Sequence, residues 1–473
     1  MDNNEISRLT DRKRTLIFIN LVVSGIATSI LSTAMTTALP KVVEYFGVST
    51  SIGQWVTSGY SLAMGMVMPL TAFLITRFPT KKLYMTGIGC FIIGILLSII
   101  GRNFALMMAG RVLQACGNGV LMSAAQVIIL TVYPAEKRGG MMGTYGLATT
   151  AAPIIAPTVA GLMIDAFGWK SIFYLVLVIM VISLIISAFV FENVLEIQDK
   201  KFDIISFAES IFAFGGITLG IGNISSYGLL STQAGLPLLV GIVVCVLFVI
   251  RQLGLEKPFL DVKILGSRDY AVSVISSMIL YLVMMGSSVM MPLYVQSVMG
   301  YFAVISGLVT LPGSLATAVI SPFAGRMYDK MGIKKIFVTG SAALVISNIG
   351  MSFITMGTPL WVAAALNVIR NMAIGSLMMP LLTWGTSSVK QGKLADASSL
   401  LTSFRTIAGS IGSAVFVGIM TAVSAGSGAA YGDNALIHGM NVSFLWMSVG
   451  AAVLFVISVL GVRRNKAFRV SDI

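Results

Sequence analysis

Arg111, Gln114, Asn118 and Gln126 stand in an otherwise apolar stretch, and at 100° per residue the three amides fall within about 60° of the arginine on a helix. Such a stripe either bonds one helix to another or lines a cavity. Asn367, Arg370 and Asn371 make a comparable cluster later in the chain. Arg405 stands in a further apolar run, where a nearby helix end would let it snorkel. Carboxylates are scarce in these places. Glu209 lies about one and a half turns into an apolar run, near enough to its end to stay hydrated; Glu44 follows just beyond Pro40; Asp329 sits among Lys330, Lys334 and Lys335. His438 is the only histidine, read as part of an outer loop, so no histidine-based metal cluster or triad can form. No GxxxxGK[ST] phosphate loop occurs, which argues against direct ATP drive. The chain is read as a non-enzyme that needs no cofactor or metal.

The elements that hold these residues are membrane helices. Only 10% of residues are charged, against about 25% in soluble domains, while 56% are hydrophobic and the mean hydropathy is +0.93. Uncharged runs at 15–40, 45–76, 139–164, 171–191 and 439–462 supply the ~20 apolar residues that cross a ~30 Å hydrocarbon core. The ten-residue alternation of a barrel is absent. Near a bilayer centre Arg111 costs at least ~2.5 kcal/mol, so it must face the protein and find a partner there. Cys90, Cys116 and Cys245 all fall inside spans, where a buried thiol is ordinary and a disulfide framework is not expected. The first run continues into further spans without a small-residue cleavage site, so no removable signal peptide is read. The net charge of +13 comes from short basic loops beside helix ends, which set orientation and meet lipid headgroups; nucleic acid is not a partner.

Splitting the runs at Gly, Pro and Ser clusters predicts fourteen spans, starting near residues 16, 53, 83, 104, 139, 171, 204, 234, 271, 304, 335, 359, 398 and 442. With the amino terminus inside, inner loops and tails hold 25 of the 31 Lys and Arg, outer loops hold Lys41, Arg102 and Lys170, and three lie in spans. Both termini are then cytoplasmic, and the chain is a multi-pass plasma-membrane protein. Residues 69–87, PLTAFLITRFPTKKLYMTG, align without gaps on 322–340, PFAGRMYDKMGIKKIFVTG. The repeat divides the chain into a six-helix bundle at 1–195, a linker and inserted helix pair at 196–265, and a second six-helix bundle at 266–473, a 6+2+6 arrangement. Parallel halves of this kind bind a solute between them near the midplane.

Two segments have a physical reading of their own. In the fifth span Pro153 and Pro157 stand four apart, bracketed by Gly146 and Gly161 and interleaved with alanines, which predicts a bent helix with a close neighbour. The ninth span carries Met278, Met284, Met285, Met290 and Met291 with Tyr281 and Tyr294, a flexible, polarizable surface suited to apolar molecules of varied shape.

QWVTSGY at 54–60, GRVLQACGNG at 110–119, APIIAPTVAG at 152–161, GWKSIFY at 168–174 and GRMYDKMGIKK at 325–335 occur in an order and spacing that resemble the major facilitator superfamily, specifically its fourteen-span drug:proton antiporters of the lincomycin and quaternary-ammonium exporter group. The resemblance implies a secondary multidrug exporter working by alternating access. It implies a substrate pathway over Trp55, Tyr60, Arg111, Gln114, Asn118, Gln126, Tyr281, Met285, Asn367, Arg370 and Asn371. It also implies a gate and antiporter motif at Gly146, Pro153, Pro157, Gly161, Gly325, Asp329, Lys330 and Lys334, with Asp329 in an ion-pair cluster with the lysines. Family members driven by protons carry an acid in the first span, ahead of the ALP turn; here those positions are Leu31 and Ser32, which cannot titrate. Glu209 and Glu44 are the remaining coupling candidates. The expected partners are an amphipathic small molecule, membrane lipid and protons, and a monomer is expected. Two alternatives stay open: a facilitator or importer of an organic anion drawn by the arginines, and a flippase for lipid-like amphiphiles.

Overall fold

A computed structural model describes residues 10–462, apart from 49, 54, 196, 198–202, 229, 256, 257, 259 and 302. Among the described residues the secondary structure is helical throughout, with fourteen helices of 19 residues or more. They are α1 (Asp11–Phe46), α2 (Trp55–Arg77), α3 (Thr80–Ile100), α4 (Phe104–Val132), α5 (Ala135–Phe167), α6 (Ser171–Val190), α7 (Ile204–Tyr227), α8 (Gly235–Gly254), α9 (Arg268–Leu293), α10 (Ala303–Met331), α11 (Ile333–Met351), α12 (Leu360–Ser387), α13 (Leu394–Tyr431) and α14 (Ala435–Val456). By length and composition twelve of them can cross a membrane, thirteen if the bent α2 is counted as one span; α5, rich in Gly, Ala and Thr, stands outside that count. α2 bends by 51° between Met68 and Leu70, where the sequence has a proline that brings no N–H to the helix ladder. α14 begins seven residues before the predicted start, because His438 continues the helix and stacks on Tyr431 at 4.0 Å between ring centroids. His438 is therefore a helical residue and not part of a loop.

Packing repeats with the sequence. α1 packs on α5 and α6, α2 on α4, and α3 on α4 and α6; eight helices on, α9 packs on α13 and α14, α10 on α12, and α11 on α12 and α14. The two sets meet along two seams, α5 against α10 and α2 against α13. α7 and α8 pack on each other, and α7 leans on both α2 and α13. One apolar cluster spreads from α1–α6 into Val262, Tyr270, Leu382, Leu394 and Leu401, while the other draws only on residues of the second set and its flanks. The apolar core is therefore continuous between the sets at one end, the end that carries Arg77, Lys81, Lys82, Lys334 and Lys335. We call it the basic end.

Candidate functional site

The arginine stripe of α4 is placed by glycines. A Cβ on Gly94 of α3 would lie 2.6 Å from the Gly110 carbonyl oxygen, so the two backbones touch and Gln114 can donate to Ser98 Oγ at 2.9 Å. Arg111, fully buried, donates to Gln114 Oε1 at 2.8 Å and to the Val56 carbonyl of α2 at 3.1 Å, and its guanidinium lies 4.2 Å from the centroid of the Tyr60 ring. Desolvated cation–π contacts of this type contribute about 2 kcal/mol, comparable with the insertion cost of the charge. Asn118 completes the group by donating to Tyr60 Oη at 2.8 Å. Trp55, at the start of α2, is 42% exposed.

Gln126 belongs elsewhere. Its Oε1 accepts Ser398 Oγ–H at 2.8 Å, with Thr402 Oγ1 at 3.5 Å, so it joins α4 to α13 near the basic end instead of continuing the stripe. Thr71 of α2 meets Ser399 of α13 at 3.0 Å beside it. The other seam is closed by backbone. A Cβ on Gly139 would stand 2.6 Å from the Gly325 carbonyl oxygen, one on Gly143 2.5 Å from that of Ser321, and one on Gly325 would overlap Gly139. Over this crossing the Asp329 carboxylate accepts the N–H groups of Gly139 at 2.8 Å and Gly140 at 2.7 Å. Among the described residues the lysines do not complete an ion-pair cluster with it: Lys334 Nζ donates to the Val462 and Val459 carbonyls just beyond α14, and Lys330 is exposed. Gly139, Gly140, Gly143, Thr71, Ser398 and Ser399 were not picked out from the sequence; the GGMMG run at 139–143 and the hydroxyl-rich start of α13 are the signals that could have done so.

Away from the basic end, glycines on these helices have open space beside them among the described residues. Gly161 of α5, Gly307 of α10 and Gly418, Gly426 and Gly428 of α13 have no neighbour within 4 Å of a built Cβ. Gly146 lies against the flexible Met379 side chain, and Pro153 is half-buried; the Pro157 side chain lies outside the described residues.

In the second set Arg370 and Asn367 are buried and bonded to each other, Asn371 Nδ2 donates to Asn367 Oδ1 at 2.9 Å, and Thr317 of α10 donates to the Asn371 carbonyl at 2.9 Å. Arg370 Nε and Nη1 have no partner among the described residues. Arg405 does not snorkel: it lies eleven residues into α13, about 16 Å from its start at 1.5 Å per residue, is 2% exposed, and donates to Tyr281 Oη of α9 with its guanidinium 4.0 Å from the ring centroid. Met285 packs one turn along α9 against Gly409. The first-span positions are inert, as Leu31 is fully buried and Ser32 Oγ donates to the Ser29 carbonyl at 3.0 Å. Glu209 is part-buried, its Oε2 buried without a hydrogen-bond partner among the described residues, and exposed Glu44 pairs with Lys41 at 3.1 Å. The three cysteines are free and part-buried. Among the described residues no cluster of ligands suited to a metal occurs.

Residues 17–413 match the model of the Major Facilitator Superfamily. The chain belongs to that superfamily. It is 32% identical to the MFS-type transporter YcnB of Bacillus subtilis (strain 168) over 93% of this chain and 94% of that one, and 30% identical to the lincomycin resistance protein LmrB of the same organism over 86% and 85%. Its fold is that of FucP in the outward conformation, with a TM-score of 0.62 at 14% identity, covering 94% of this chain and 98% of that one. This facilitator is thus a multi-pass plasma-membrane protein with drug-resistance relatives, in a family whose members move small molecules and are not enzymes.

Proposed function

We propose that this facilitator exports amphipathic, lipophilic compounds by alternating access, in exchange for protons, working as a monomer in contact with membrane lipid. The observation that carries the reading is the asymmetric closure: both seams are tied at the basic end, whereas among the described residues glycines further along α5, α10 and α13 have open space beside them. In this reading all fourteen helices span the membrane, both termini and the basic end are cytoplasmic, and residues 1–195 and 266–473 rock about the solute, with 196–265 as an inserted pair. Arg111, Tyr60 and Asn118, with Tyr281, Met285 and the Asn367–Arg370–Asn371 cluster, form the pathway; Gly325, Asp329 and Gln126 form the cytoplasmic gate. Resemblance to LmrB supports the drug-like cargo. Leu31 and Ser32 leave proton exchange to Glu209 or to the gate carboxylate, so coupling is expected to be weak. Purified protein in liposomes tests this: ethidium and lincomycin should move, with a modest response to an imposed pH gradient. Robust flux of a hydrophilic metabolite with neither drug transported would overturn it.

A further inference from the structure

We propose that Arg405, held by Tyr281, recognises the oxyanion of an amphipathic cargo, and that it is offered toward the basic end when α13 parts from α4. The inference rests on the export reading above and adds the cargo's charge. A guanidinium carries five N–H donors in a planar fork that fits a carboxylate or phosphate at two points. Arg251 shows such a fork filled in this molecule: Nε and Nη2 both donate to the Asp203 carboxylate, at 3.1 and 3.0 Å. Arg405 is far more buried, yet its recorded partner among the described residues is a phenol, and Nε and Nη1 are buried with none. Arg370 leaves the same two donors open, so it is the position of Arg405 that distinguishes it.

Position gives the unfilled fork a purpose. Ser398 and Thr402 precede Arg405 by seven and three residues, within about 60° of it on α13, and both point at Gln126. Opening that contact therefore uncovers the guanidinium from the basic end. Met285, against Gly409 one turn further along α13, adds a flexible apolar wall for the body of the cargo. In the state described here Tyr281 covers the charge, which makes this the lower-affinity form for an oxyanion. Soluble amphipathic carboxylates and lipid headgroup phosphates share the required chemistry.

The test uses the full chain with fluorescein carboxylate, its neutral methyl ester and ethidium, followed by flux from the Lys82 side of liposomes and by thermal shift in detergent. The carboxylate should bind and move about tenfold or more better than the ester, the preference should vanish in Arg405→Gln and survive in part in Arg405→Lys. Tyr281→Phe, which releases the guanidinium without altering it, should raise carboxylate affinity a few-fold, a change that a merely structural arginine would not produce. Equal handling of carboxylate and ester by the wild type, or an equal loss for all three probes in Arg405→Gln, overturns the inference while leaving export intact. If no probe moves, the export reading falls, and carboxylate-selective thermal stabilisation alone decides the inference. Competition by vesicles containing one part phosphatidylglycerol to two parts phosphatidylcholine, absent with phosphatidylcholine alone, assigns the oxyanion to a lipid headgroup and upholds the site.

Discussion

The two seams that close the basic end are related by the internal repeat yet are built from different chemistry. Along α5 and α10, backbones cross in contact through Gly139, Gly143 and Gly325, and a carboxylate on two amides spans the crossing. Along α2 and α13, closure relies on neutral hydroxyls and one amide, Thr71 with Ser399 and Gln126 with Ser398, with α7 leaning on the outside. Hydrogen bonds to a charged group contribute about 1.5–3 kcal/mol and neutral ones about 1 kcal/mol. By its hydrogen bonds the first seam is therefore the more strongly tied of the two. In the first copy of the repeat Ala72 and Thr76 replace the glycine and the aspartate of the second, so the difference is written into the duplicated helix ends themselves.

Substitutions can invert or sharpen that ranking. Gly325→Ala should have the largest effect, because its methyl meets the fixed Gly139 carbonyl: ethidium flux should fall about tenfold or more, and maleimide labelling of a cysteine placed at the basic end should rise. Asp329→Asn should shift the balance between the two facing states about tenfold toward opening of the basic end, read by the same labelling, as the charge on two hydrogen bonds is lost. Thr71→Val removes one neutral bond and should shift the balance about fivefold; a larger shift than that of Asp329→Asn would reverse the comparison. The smallest effect belongs outside both seams, where Asp203 caps α7 and pairs with Arg251. Partial burial pushes its carboxyl up, but hydrogen bonds from Ser206 and Arg251 prevail and hold it below the usual carboxylate range. Its contribution is therefore present above the ordinary carboxylate value and lost as pH falls through the lowered one. With side chains 33% and 21% exposed, Asp203→Asn should cost no more than about 1 kcal/mol of thermal stability at neutral pH, and the gap to wild type should close in strong acid.

Helix placement was legible in the sequence because a bilayer demands long apolar runs and the basic loops punctuate them; most predicted starts fall within four residues of the structure, and the superfamily follows from motifs in order. The stripe on α4 was legible only as a direction. Helical periodicity aligns Gln126 with Arg111, but it cannot say that α13 crosses α4 at that turn and brings Ser398 to Gln126. Lysines beside Asp329 suggested ion pairs, whereas α5 presents amides to the carboxylate, a partner set by crossing geometry and invisible in composition. Arg405 was read as free to snorkel because span ends were uncertain; α13 extends far enough on both sides to bury it.

Alternating closure itself is tested most directly by spin-label distances in liposomes. One pair of labels would sit at exposed positions 82 and 335 on the basic end, and one at 102 and 361 on the other. On cycling with ethidium and pH, the first distance should lengthen as the second shortens. Distances that stay fixed, or that grow and shrink together, would contradict two halves rocking about a shared site.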